Sequence, residues 1–230
     1  KLIAYAISKK CSEEGVDTLA VGRDGRLSGE SLLNAFCKGL SDSGIHVNNI
    51  GLVTSPLLYF AAKKQDSKSG IMITGSHNPK NYNGIKMVVN DKPVSGTEIL
   101  TLTQDSHPYN ISEKGVVEYN DIKEDYIDEV CKNITLDNPQ KLKVVLDCGN
   151  GSAGCIAPDL FKKIGFQVHE LFSEVDGNFP NHHPDPGNID NLKDLIYKVK
   201  ELNADVGFAF DGDGDRVGLV TNKGEVVFPD

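Results

Sequence analysis

Apolar positions along the chain alternate between two periods. Residues 1–14 set Leu2, Ile3, Ala6 and Ile7 on one helical face. Residues 18–21 form a short apolar run, and Gly22-Arg23-Asp24-Gly25-Arg26 follows as a polar loop. Residues 28–43 return to the helical period, with Leu32, Leu33, Phe36 and Leu40 on one side and Gly44 as the stop. A strand at 47–50, a helix at 55–64 opened by Ser55-Pro56, and strands at 71–74 and 85–89 complete the first series. Strands alternating with helices predict a parallel or mostly parallel sheet with helices on both faces.

Segment 96–139 is less regular. His107-Pro108-Tyr109-Asn110 breaks the pattern, 121–133 reads as a helix with Tyr126, Ile127 and Val130 inward, and Asp137-Asn138-Pro139-Gln140 reads as a linker. A second series then begins. It holds a strand at 143–146 that runs into Asp147-Cys148-Gly149-Asn150-Gly151, a helix at 157–164 stopped by Gly165, and a strand at 167–171. A loop rich in Pro, Gly and His (175–187), a helix (189–202) and a strand (206–210) follow. Residues 217–221 and 226–228 are expected to pair as a hairpin through Asn222-Lys223-Gly224. The predicted fold class is α/β: two three-layer α/β/α domains with mostly parallel, mixed sheets. The expected partition is 1–115 for the first, 116–139 for a connecting helix and linker, and 140–230 for the second.

Two stretches carry candidate chemistry. Ile71 to Pro79 is an apolar run ending in Thr74-Gly75-Ser76-His77-Asn78-Pro79, so Ser76 stands just past the carboxyl end of a strand, where open α/β sheets place ligands. Gly75 is expected to let the backbone bend and to keep bulk away from Ser76. Taken alone this is an ordinary turn. The second stretch, Asp211-Gly212-Asp213-Gly214-Asp215-Arg216, changes that. Carboxylates at i, i+2 and i+4 project to one side of an extended segment, and they repel unless a cation lies between them. Hard oxygen ligands select Mg²⁺, Mn²⁺ or Ca²⁺. An EF-hand does not fit, because Arg216 stands where its loop needs Gly and Asn222 where it needs Glu. Three protein oxygens leave room for a phosphate oxygen, and Ser76 is the candidate to carry it.

Composition narrows the function classes. The 230 residues are 39% hydrophobic and 25% charged, with a net charge of −9 and no basic run. Nucleic acid and anionic membrane are unexpected partners, since both require clustered Lys and Arg. No apolar run is long enough to span a bilayer. Five cysteines with no C-x-x-C pair point to buried thiols in a reducing cytoplasm. Asn110-Ile111-Ser112 and Asn133-Ile134-Thr135 match the glycosylation pattern but carry no weight without a signal peptide. The chain starts at Lys1 in mid-pattern, so further residues are expected before it.

Thr74 to Pro79, Asp211 to Arg216, Gly22 to Arg26, Tyr82-Asn83-Gly84-Ile85-Lys86, Asp147 to Gly151 and the loop from Glu174 to Gly187 together resemble the α-D-phosphohexomutase family. The similarity is greatest to its bacterial bifunctional phosphomannomutase/phosphoglucomutase branch. The resemblance implies that Ser76 is carried as phosphoserine and exchanges its phosphoryl group with a hexose 1- or 6-phosphate. A hexose 1,6-bisphosphate would be the intermediate and activator. It implies one Mg²⁺ per site, held by Asp211, Asp213, Asp215 and an oxygen on Ser76. Lys86, Arg216 and Arg23 would support the phosphoryl group in transit, with Lys86 a candidate general acid or base if burial lowers its pKa. His77 would contact phosphate or orient the loop rather than form a dyad with Ser76, because neighbours in an extended segment point apart. Arg26 and Asn78 would bind substrate. Paired His182-His183 reads as part of a rigid Pro-rich loop rather than a metal site. The family has four domains, and only the first two have counterparts here, so a fragment with poor activity of its own is expected, completed by third and fourth domains. Phosphoglucosamine mutase, a Mg²⁺-dependent phosphatase with an Asp nucleophile and a Ca²⁺-binding module are the alternatives.

Overall fold

A computed structural model of the chain describes residues 1–104 and 113–227. His107 to Asn110, the first glycosylation pattern and Phe228 lie outside the described residues. The first sheet collects α1 (Leu2–Glu13), β1 (Thr18–Arg23), α2 (Gly29–Asp42), β2 (His46–Leu52), α3 (Ser55–Lys64), β3 (Gly70–Ile73), β4 (Ile85–Val89), β5 (Lys92–Pro93), α4 (Gly96–Gln104) and β6 (Val117–Tyr119). Its strand order is β5-β4-β3-β1-β2-β6. The strands β3, β1, β2 and β6 run parallel; β4 turns back antiparallel to β3, and β5 turns again, antiparallel to β4.

Side-chain alternation explains the layers. Leu19, Val21, Ile71 and Ile73 face Ile7, Cys11, Leu33, Phe36 and Leu40 of α1 and α2. Their neighbours Ala20 and Met72 face Leu57, Leu58 and Ala61 of α3. A sheet buried on both faces loses the polar alternation of a half-exposed strand, which is why its strands read as continuous apolar runs. Thr54 caps α3, with Pro56 in the first turn, and the left-handed Gly44 (φ +83°) follows α2.

The second sheet follows α5 (Lys123–Asn133) and holds β7 (Lys143–Asp147), α6 (Ala157–Ile164), β8 (Gln167–Leu171), α7 (Lys193–Leu202), β9 (Val206–Phe210), β10 (Val217–Thr221) and β11 (Val226–Val227), in the order β11-β10-β9-β7-β8. The expected hairpin is present: β10 pairs antiparallel with both β9 and β11. Val145 and Ala209 pack on Leu195 and Val199 of α7, and Val144 and Leu146 pack toward Ala157, Phe161 and Phe208.

Several expectations need correction. Gly22 and Arg23 belong to β1 rather than to a loop, paired with Gly51 and Leu52; a Cβ on Gly22 would come within 2.6 Å of Val53, so this glycine serves strand packing. The helix expected at 189–202 is a 3₁₀ turn (Ile189–Leu192) followed by α7. The strand β6 and the helix α4 were not legible: β6 is exposed throughout, and α4 has no fully buried residue, touching the first core cluster only through half-buried Ile99. The first sheet thus recruits β6 from the segment read as connecting.

The two sheets share one apolar cluster. Ile156, with half-buried Cys155 and Leu160, joins Ile50, Val53, Leu57, Leu58, Met72 and Ile127. This packing sets how the two strand arrays face each other. Replacing Ile156 (4% exposed) by alanine is expected to cost about 2–4 kcal/mol of unfolding free energy in urea titration, whereas Leu100→Ala at 67% exposure should change it by less than about 0.5 kcal/mol.

Candidate active site and metal centre

The loops that follow β1, β3 and β9 meet where the carboxyl ends of the two sheets face each other, the position at which open α/β sheets bind ligands. Residues 74–84 form the serine loop. Its first turn hangs on Asp24, whose Oδ2 accepts from Thr74 Oγ1 (2.7 Å), Gly75 N (3.2 Å) and Arg26 Nε (3.1 Å). Thr74 Oγ1 in turn accepts from the Ser76 amide (2.7 Å). Ser76 itself is left-handed (φ +49°), a conformation most non-glycine residues avoid. Gly75 is needed for a different reason from the one expected: a Cβ there would lie 2.5 Å from Arg26 Cζ.

Ser76 Oγ donates to Asp211 Oδ2 at 3.0 Å. The other oxygen of Asp211 accepts the amides of Asp215 and Arg216, both at 3.1 Å, which curls the aspartate loop around it. Gly212 touches the serine loop so closely that a Cβ would sit 2.5 Å from the Ser76 carbonyl. Asp213 is fully buried; its Oδ2 accepts from Ser55 Oγ and from Lys86 Nζ (2.7 Å). The Ser55 amide also donates to the Asp213 carbonyl (2.9 Å), so the positive amino end of α3 abuts this carboxylate. Lys86 Nζ bridges on to Asp215 Oδ2 at 2.6 Å.

Burial and the neighbouring carboxylates push Asp211 up to about 7. Burial acts on Asp213 in the same direction, but the hydrogen bonds from Lys86 and Ser55 outweigh it and hold this carboxyl below the ordinary value. Burial alone would lower Lys86; Asp213 and Asp215 reverse that and raise it, so the expected lowering does not occur and the ammonium keeps its charge.

Oxygens of Asp211, Asp213 and Asp215 lie within 4.8 Å of one another. Asp213 Oδ1 is buried with no hydrogen-bond partner. A buried carboxylate oxygen without a partner, beside two further hard oxygen donors, fits a divalent cation of the Mg²⁺ or Ca²⁺ class.

The structure distributes the other expected site residues as follows. His77 is half-buried, with Nδ1 3.5 Å from Ser76 Oγ; the left-handed turn at Ser76 brings these neighbours together where an extended segment would separate them. Asn78 is exposed and lends only its carbonyl to Arg26. Arg23 is half-buried and donates to the Asp24 carbonyl. The Arg216 side chain is exposed and has no polar partner among the described residues. Arg26, expected at the substrate, is 1% exposed, and its guanidinium lies beneath the serine loop, donating to the Ser76 carbonyl. Asp24, Thr74 and Ser55 were missed. Ser55 carried only a helix-start signal, and Asp24 stood inside a noticed motif without a role.

The long loop 175–187 locks onto the site from the second sheet. His183 Nε2 donates to the His77 carbonyl at 2.6 Å. His182 directs both ring nitrogens at acceptors, Nε2 at the Asp147 carboxylate (3.0 Å) and Nδ1 at the His183 carbonyl (3.0 Å). That is the pattern of a protonated imidazole and of an anchor for a rigid loop.

Residues 1–106 match the model of phosphoglucomutase/phosphomannomutase alpha/beta/alpha domain I, and residues 124–224 match that of domain II. The chain belongs to this family. It is 51% identical over 229 residues to a phosphomannomutase/phosphoglucomutase of Pseudomonas syringae pv. tomato, covering 99% of this chain and 49% of the relative. A phosphoglucomutase of Neisseria gonorrhoeae is 46% identical over 231 residues, with coverage of 99% and 50%. A crystal structure of a phosphoglucomutase/phosphomannomutase family protein from Burkholderia thailandensis superposes with a TM-score of 0.92 at 41% identity, over 99% of this chain and 51% of that one. The chain spans about half the length of the curated relatives it matches, and it carries the first two domains of a larger enzyme architecture.

The family loop at 175–187 yields a pH prediction. Burial disfavours the His182 charge, but Asp147 outweighs it and the net effect raises the imidazole. A raised group stabilises the fold fully below its free value of about 6.5, and that contribution is lost as pH rises through the raised value. The stability difference between wild type and His182→Gln in urea titration should therefore be larger at about pH 6 than at about pH 9.

Proposed function

We propose that this chain supplies the phosphoryl-accepting serine and the metal centre of a phosphosugar mutase that interconverts hexose 1-phosphate and hexose 6-phosphate, of mannose, glucose or both. The observation that carries the reading is the 3.0 Å contact of Ser76 Oγ with Asp211, inside a cluster of three carboxylates. Ser76 would rest as phosphoserine. Its O–P bond breaks as a bond from phosphorus to the incoming sugar hydroxyl oxygen forms, giving hexose 1,6-bisphosphate; the sugar hydroxyl loses its proton and Ser76 Oγ regains one. Return of the other phosphate to Ser76 completes the exchange.

Asp211, Asp213 and Asp215 would hold Mg²⁺. When bound there, the ion offsets charge on the phosphoryl oxygens. Lys86, with its charge retained, is a donor for the same oxygens, and Arg216, exposed and unpaired among the described residues, is a second. His77 orients the serine loop through its carbonyl contact with His183. An aspartyl phosphatase is less well supported, because Asp211 is fully buried with both oxygens engaged. All five thiols are free, and burial pushes Cys11 and Cys148 up to about 12, which leaves these two inert as nucleophiles.

The test is a coupled assay on the natural protein that contains this chain, with Mg²⁺ and a hexose bisphosphate primer, comparing glucose 1-phosphate, mannose 1-phosphate and glucosamine 1-phosphate. Similar turnover of the first two is expected. Ser76→Ala should lower it by at least ~10³-fold while leaving the fold intact. Turnover of glucosamine 1-phosphate alone would move the substrate and keep the mechanism; inactivity on all three would refute the proposal. Chelation should abolish turnover and added Mg²⁺ restore it.

A further inference from the structure

We propose that Arg26 is a positioning residue for phosphoryl transfer: its buried guanidinium gathers the carbonyl oxygens of the serine loop and so holds the left-handed turn that aims Ser76 at the aspartates. The inference rests on the reading of Ser76 as the phosphoryl acceptor.

All five N–H donors of Arg26 are engaged inside the protein. Nε donates to Asp24 Oδ2 (3.1 Å), Nη1 to the carbonyls of Pro79 (2.6 Å) and Tyr82 (2.9 Å), and Nη2 to those of Ser76 (2.6 Å) and Asn78 (2.8 Å). No donor remains for a substrate, and the side chain is sealed. Phe179, from the loop of the second sheet, places its ring centroid 5.5 Å from the guanidinium carbon. Gly177 of the same loop packs so tightly that a Cβ would lie 2.6 Å from the Gly25 carbonyl oxygen and the Leu27 amide nitrogen.

Two consequences follow for the reaction. A left-handed serine persists only where its surroundings over-determine it, and the planar fork fixes the carbonyl of Ser76 and those of three further residues of its loop at once. A phosphoryl group on Ser76 carries a charge of about −1.5 to −2, so carbonyl oxygens turned toward it would repel it. Arg26 draws four of them to the inner side of the loop. Asp24 balances the guanidinium charge and, through Thr74 Oγ1, reaches the Ser76 amide.

The test uses the natural protein that contains this chain, with Mg²⁺ and hexose 1,6-bisphosphate, and compares wild type, Arg26→Lys and Thr74→Val. Lysine keeps the charge and loses the fork. Valine leaves Arg26 in place and cuts the brace between Asp24 and the Ser76 amide. The expected result is a kcat about 100-fold lower for Arg26→Lys and about 10-fold lower for Thr74→Val, with KM for the hexose phosphate within about twofold of wild type. Amide hydrogen exchange should accelerate in peptides covering 74–84 and not in those from the two sheets. A KM raised about tenfold with kcat retained would make Arg26 a phosphate ligand and overturn the proposal. So would unchanged kinetics and unchanged exchange in folded Arg26→Lys protein. If Arg26→Lys does not fold, the same outcomes are read on Arg26→Gln, which keeps a planar amide donor and loses the fork. A wild type without hexose phosphate turnover counts against the mutase reading, and loop exchange then decides this proposal: lost protection upholds it, unchanged protection overturns it.

Discussion

Three carboxylates within 4.8 Å of one another have to be held together against their own repulsion. Two unit charges 4 Å apart interact by about 4 kcal/mol at an effective dielectric constant near 20, a sizeable fraction of the stability of an ordinary domain. The chain meets this with several devices. Lys86 bridges two of the carboxylates, the amino end of α3 and Ser55 face Asp213, and two backbone amides hold Asp211. Lys86 and Ser55 come from the first sheet's side and the carboxylates from the second, so this compensation is complete only when both sheets are correctly placed.

That placement is an apolar and steric matter. Ile156 and its neighbours dock the second sheet onto α3 and α5. Gly212 and Gly177 then allow backbone to approach backbone where any side chain would intrude. Ser76 and Lys86 sit at opposite ends of one turn between β3 and β4, paired from Ile73 with Ile85. The hydroxyl and the ammonium therefore belong to one rigid hairpin, and the carboxylates come to it from the other domain.

Much of the fold was legible because two-sided burial writes strands as apolar runs and amphipathic helices as a 3.6-residue period. Helix α6 and strands β4, β8, β9 and β10 lie where the pattern places them. The exposed β6, and α4, which buries no residue fully and turns only Ile99 onto the first core cluster, leave little such trace. At the site, the aspartate cluster and Ser76 could be found because each is a dense local motif. The burial of Arg26 was not legible because sequence gives its charge and not its surroundings; its partners Ser76, Asn78, Pro79 and Tyr82 lie 50–56 residues away. Ser55 and Asp213, 158 residues apart, were invisible to each other for the same reason. The conformation of Ser76 was misjudged because the motif suggested that Gly75 supplied the bend.

The strand borders have a bearing on solubility during folding. An unpaired sheet edge is a template for another chain, and long flat edges promote aggregation. Here β5 is two residues long and consists of Lys92 and Pro93, a charge and a residue with no amide hydrogen. Strand β6 is three residues with Glu118 in the middle. The one longer edge, β8, carries Gln167, His169 and Glu170, the last paired with Lys162. Among the described residues, the borders β5, β6 and β8 are thus too short or too polar to invite a neighbouring molecule.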